Sequence, residues 1–133
     1  MKTGILHLLI AALFFTSACT SMRRSDLPGF RFTGKSFAGK ASWYSVRTNG
    51  GTRTASGEPF RNSGATAAHK SLPFGTWVRV TNLRNDRSAI VRITDRGPYI
   101  RGRVIDVSIG TAEKLGFVKA GVVPVRVEIM ERR

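Results

Sequence analysis

The sequence predicts a small β-barrel carrying one short helix. Short segments in which apolar and polar residues alternate recur between residues 39 and 129, the period of half-buried strands. Glycine, proline and asparagine punctuate them where a chain must reverse. No long stretch carries the apolar period of an amphipathic helix. Many short strands with little helix describe a closed sheet.

The first strand reads as Gly39 to Ser45, and residues 46–57, rich in Gly, Thr, Asn and Ser, as loop. Thr66 to His69 is a short, small-sided segment, and Leu72-Pro73-Phe74-Gly75 is a turn. Thr76 to Asn82 alternates, with Val78 and Val80 on one face; Asn85-Asp86 makes a hairpin; Ser88 to Thr94 returns with Ala89, Val91 and Ile93 on one face. Arg103 to Ser108 is a further strand. Ser108 can cap a short helix that runs through Leu115 and closes at Gly116. Val123, Val125, Val127 and Ile129 share one face of a last strand.

The chain's 133 residues suffice for one domain and not for two. Met1-Lys2 is a short basic start, and Gly4 to Phe15 is an apolar run fit for a signal-peptide core and too short to span a bilayer. Small residues Thr16-Ser17-Ala18 follow, so residues 1–18 read as a secretory signal. Cys19 is the only cysteine, which excludes an intrachain disulfide. It stands where bacterial lipoproteins carry their acylated cysteine, although Thr16 replaces the usual leucine; the alternative is cleavage after Ala18 and a free thiol. Thr20 suits the outer membrane. Residues 19–36 read as a tether, leaving residues 37–133 as the folded domain.

The formal net charge is +14, which calls for a polyanionic neighbour: nucleic acid, anionic headgroups or an acidic wall polymer. Export argues against nucleic acid. No cysteine–histidine spacing suits a metal, no glycine-rich loop cradles phosphate, and no serine sits in a nucleophile elbow. No cofactor is expected. Carboxyl chemistry remains, and glycosidic bonds are its natural clients. One strand delivers Asp95 into a turn and the next, Arg103 to Ser108, carries Asp106, among four arginines, in a chain with only 8 acidic residues. They read either as structural ion pairs or as an acid–base site on a loop held by strands. Glu58 and His69 are further candidates, each with a structural alternative. Trp43 and Tyr44 adjoin on a strand, so one should face the core and the other should be exposed, free to stack on a sugar ring.

Six segments then resemble one family in order: residues 39–44, 54–58, 66–76, 78–83, 95–99 and 103–108. They are similar to the rare lipoprotein A family, the septal-ring lytic transglycosylase-like proteins. The resemblance implies a six-stranded double-psi β-barrel related to barwin and expansins, in an exported lipoprotein acting on peptidoglycan, preferably glycan stripped of stem peptides. It places the family's acids and histidine on Glu58, His69 and Asp95, with Asp106 similar to the acid of expansin-like barrels. Trp43, Tyr44, Thr54, Arg96, Tyr99 and Arg103 are the expected substrate contacts. Two departures stand out. Arg47-Thr48-Asn49-Gly50-Gly51 replaces a phenylalanine- or histidine-containing stretch. The sequence also runs to Arg133 without the SPOR domain of many relatives, so septal targeting does not follow.

The expected reaction is lytic transglycosylation. An acid, first choice Asp95, protonates the bond between N-acetylmuramic acid and N-acetylglucosamine, and the muramoyl C6 hydroxyl closes a 1,6-anhydro ring. Glu58 stabilises charge, His69 positions a carboxyl, and Asp106 is a second acid or an anchor. The rival expectations are a non-catalytic, expansin-like peptidoglycan-binding module and a lipoprotein that recruits partners. Adjacent Arg96 is an objection to Asp95, since a close cation disfavours a protonated carboxyl.

Overall fold

A computed structural model describes residues 27–133. The expected signal segment, Cys19 and the expected tether up to residue 26 lie outside the described residues. Six strands and one helix follow: β1 (Phe30–Tyr44), β2 (Thr66–Ala68), β3 (Trp77–Asn82), β4 (Ser88–Asp95), β5 (Arg103–Ser108), α1 (Ile109–Leu115) and β6 (Val123–Arg132). They close in the order β1-β5-β2-β4-β3-β6. Pairs β1–β5 and β2–β4 are parallel and the rest antiparallel. This is the six-stranded double-psi barrel the sequence suggests.

Alternation builds the core. Val78, Val80, Val91, Ile93, Ile105, Val107, Val125 and Val127 are fully buried inside the barrel, each worth about 1.5–3 kcal/mol against exposure. Helix α1 stoppers the barrel with Ala112 and Leu115. Its ends are those the sequence marks. The Ser108 hydroxyl accepts from Thr111 N, and Gly116, in the left-handed region at φ 73°, ends it. Gly110 lets the helix start lie against the 61–64 turn: its N–H donates to Asn62 O at 2.8 Å, and a Cβ there would stand 2.6 Å from that oxygen. Asp86 turns the β3–β4 hairpin at φ 64°.

Three features depart from the sequence reading. Residues 30–36, assigned to the tether, are the first half of β1 and pair with the end of β6. Phe30 packs edge-on to Trp77, and Arg31 pairs with Glu131. The alternation Phe30-Arg31-Phe32 was the available signal, masked by the glycines and arginines around it. Second, the outer face of β3 is also buried. Arg79 lies directly across from Glu128 of β6 and binds it bidentately, Nε to Oε1 at 3.0 Å and Nη2 to Oε2 at 2.8 Å. Removing one partner of such a buried pair costs about 3–5 kcal/mol. Third, neither Trp43 nor Tyr44 is exposed. Trp43 packs against the core and donates to Val118 O at 3.1 Å; Tyr44 stacks on Phe60 with ring centroids 4.4 Å apart.

Candidate active site

Register places two carboxylates in one row. Ser42 of β1 lies opposite Asp106 of β5; Asp106 lies opposite Ala68 of β2; Ala68 lies opposite Asp95 of β4. Two irregularities produce this alignment. The β1–β5 pairing skips Val104, and the β2–β4 pairing skips Thr94. With regular pairing Ser42 would face Ile105 and Ala68 would face Thr94. Such bulges re-aim side chains beside functional sites. Gly39 permits the first of them, because a Cβ there would stand 2.3 Å from Val104 Cγ1. Alanine between the carboxylates leaves the space a larger residue would fill.

The row opens into a cavity of about 180 Å³ lined by Tyr44, Thr48, Asn49, Ala68, Asp95, Arg96 and Asp106. Asn49 also begins an open groove of about 700 Å³ along residues 49–55. The 45–51 loop forming this wall is held by Ser45 N to Thr48 Oγ1, by Val46 N to Asn62 Oδ1 at 2.7 Å, and by Asn49 Nδ2 to Gly51 O and Arg53 O. The departure at residues 47–51 therefore shapes the cleft itself.

The two acids have different surroundings. Asp95 Oδ1 accepts from the main-chain N–H groups of Ala55 and Arg96, each at 2.9 Å. Asp106 Oδ1 accepts from the Ser42 hydroxyl at 2.9 Å. Burial pushes the Asp106 carboxyl above the usual aspartate range; the Ser42 hydrogen bond and Arg103 oppose this, and the Asp95 charge adds to it. Arg96 points its guanidinium elsewhere. Nη1 donates to Leu72 O at 2.8 Å and His69 O at 3.3 Å, with the group 3.9 Å from the centre of the Phe74 ring. The expected cation beside Asp95 is thus tied to the 69–74 turn.

The remaining candidates are dispersed. Glu58 binds Arg92 at 2.5 Å, which holds its carboxyl below the usual range, and it lines a separate cleft of about 390 Å³ with Arg61, Thr66, Trp77 and Arg92. His69 Nδ1 accepts from Ser71 N and Leu72 N at 3.1 and 3.0 Å. Burial, Arg96 and Lys70 push its imidazole below the usual histidine range. The neutral ring organises the turn, while its main-chain N–H donates to Asp95 O at 3.1 Å. Thr54 is buried and its hydroxyl donates to Glu58 O, so it braces the loop. Tyr99 is 76% exposed. Among the described residues no three of His, Cys, Asp and Glu converge as metal ligands. Ser42, Ala68, Thr48 and Asn49 belong to the site and are not legible from sequence chemistry, since only register brings them there.

Comparison with known proteins agrees with this architecture. The family described as lytic transglycolase matches residues 36–127. The chain is 59% identical over 99 residues to a probable endolytic peptidoglycan transglycosylase RlpA of Nostoc, covering 73% of this chain and 26% of that one. It is 50% identical over 93 residues to an endolytic peptidoglycan transglycosylase RlpA of Pasteurella multocida, covering 70% and 31%. It thus spans less than a third of those two relatives. An apo expansin structure from Clavibacter michiganensis superposes with a TM-score of 0.56 at 22% identity, covering 71% of this chain and 50% of that one, which shows the shared fold.

The Asp106 environment has a consequence for stability. With its folded pKa raised, the unfolded chain releases this proton first as pH rises above about 4. The folded state therefore loses stability between that pH and the raised value. Asp106→Asn keeps an acceptor for Ser42 and removes that loss. Its melting temperature relative to wild type should climb between about pH 3 and pH 7. A difference that is flat or falling over that range would contradict the assignment.

Proposed function

The chain belongs to the RlpA-like lytic transglycosylase family, and on that premise we propose that its barrel is an endolytic peptidoglycan lytic transglycosylase. One observation carries the reading: two carboxylates flank Ala68 in a single cavity, and desolvation biases Asp106 toward its protonated form. A pair of carboxyls, one of them raised by its surroundings, is a pattern of acid–base glycoside chemistry.

The roles follow the surroundings and reverse the order expected from sequence. Asp106 holds the proton and gives it to the glycosidic oxygen as the muramoyl C1–O bond breaks. Asp95, its Oδ1 fixed by two main-chain donors, works as the carboxylate that stabilises positive charge on the sugar. The muramoyl C6 hydroxyl attacks C1 and returns its proton to Asp106, so no water is consumed. A nucleophile carried by the substrate makes a second, water-activating base unnecessary. The Glu58–Trp77–Arg92 cleft and the exposed Tyr99 ring take up neighbouring sugars. Peptide-free glycan is the proposed substrate, and the chain's excess of cations attracts its muramoyl carboxylates.

Digestion of denuded glycan followed by mass spectrometry tests this. Wild type should release 1,6-anhydro products, and Asp106→Asn should release about 10²–10⁴-fold less. Asp95→Asn should also lose most of the activity, with glycan binding kept. Full activity in Asp106→Asn would refute the assignment, reducing ends would indicate hydrolysis, and intact bound glycan would indicate a binding module.

We further propose that residues 1–18 direct export and that acylated Cys19 anchors the barrel on the periplasmic side of the outer membrane. The sequence supports this through its apolar run, its small residues and the position of Cys19. Cys19→Ala should move the protein from membrane to soluble fractions. Unchanged fractionation, with no lipid mass on the wild-type N-terminus, would remove the anchor.

A further inference from the structure

Tyr44 holds a hydroxyl that folding does not account for. The residue is only 7% exposed, and its oxygen is buried without a hydrogen-bond partner among the described residues. Buried phenols ordinarily find one, because an unmet O–H is destabilising. The ring cannot turn to look for an acceptor. It stacks on Phe60 at 4.4 Å with the planes 23° apart, and Ala68 joins them in one buried cluster. A phenylalanine would fill the same place without the unmet group.

The hydroxyl's side chain lines the cavity that holds Asp95 and Asp106. Burial, then the charges of Asp95 and Asp106, hold the phenol above its usual range, so it is a neutral donor. It makes no hydrogen bond to either carboxylate. An oxygen lodged between the two acids is the acceptor this arrangement lacks.

We propose that the Tyr44 hydroxyl is a third reacting-site group, donating a hydrogen bond to the substrate oxygen held between Asp95 and Asp106. On the transglycosylase reading, on which this role rests, that oxygen is the leaving glycosidic oxygen. While C1–O cleavage runs ahead of proton transfer from Asp106 it carries partial negative charge, so the hydrogen bond strengthens in the transition state. This differs from the stacking expected of whichever of Trp43 and Tyr44 is exposed, since the Tyr44 ring face is occupied by Phe60.

Tyr44→Phe separates the possibilities. Its melting temperature should equal or exceed that of wild type, while kcat on denuded glycan should fall roughly tenfold or more, with a smaller change in KM. A rate within about twofold of wild type would overturn the role. So would a melting temperature that falls together with the rate, which would make the hydroxyl a structural group. If wild type forms no product at all, the transglycosylase reading fails by itself. The hydroxyl is then judged by titrating denuded glycan into both proteins calorimetrically. Weaker binding by Tyr44→Phe keeps a sugar oxygen as its partner, and equal affinity removes it.

Discussion

The site depends on the register of a three-residue strand. β2 pairs parallel to β4 on one edge and antiparallel to β5 on the other, so Ala68 faces an aspartate on each side. Because side chains alternate faces along a strand, a slip of one residue on either edge would carry one carboxylate out of the row. The two bulges, at Val104 and Thr94, set that register. The closed barrel enforces it, because every strand is paired on both edges and none can shift alone. The row is a property of closure, and the buried valines and isoleucines hold the two carboxylates as well as the fold.

Charge is arranged around that row by subtraction. In a chain this basic, a carboxyl meant to carry a proton needs nearby guanidinium groups occupied elsewhere. Arg96 is drawn onto Phe74 and the carbonyls of His69 and Leu72. Arg92 is drawn onto Glu58, and Arg79 onto Glu128. Arg103 acts on Asp106 and opposes the effect of burial, but burial is the larger influence. His69 serves this arrangement from a distance: by fixing the 69–72 turn it supplies the carbonyls that hold Arg96. The family's acids and histidine therefore sit in three environments, with only Asp95 in the Asp106 cavity.

Most of the fold was legible because its signals are local. The Ser108 cap, the Gly116 stop, the Asn85-Asp86 turn and the valine alternation of β3, β4 and β6 each depend on a few adjacent residues. What was not legible depends on pairing. The pattern of Phe30 to Ser36 becomes a strand only through its partners in β6. The burial of Arg79 needs Glu128 across the ladder. Trp43 and Tyr44 look like one core and one exposed ring until Phe60, sixteen residues on, covers the face of Tyr44. Chemistry singles out Asp95 and Asp106 in the sequence, but not the cavity they share. Their alignment beside Ala68 follows from bulges, and a bulge leaves no mark in a sequence that alternates on either side of it.

The central claim is that burial holds the Asp106 carboxyl above the usual aspartate range. NMR titration of the side-chain carboxyl carbons of ¹³C-labelled aspartates, assigned with the two Asp→Asn variants, measures this directly. Asp106 is expected to titrate above the usual aspartate range in wild type, and to move back toward it when Asp95 is replaced by asparagine, because the Asp95 charge contributes to the shift. An Asp106 that titrates at or below the usual range, or that ignores the loss of Asp95, would contradict the claim.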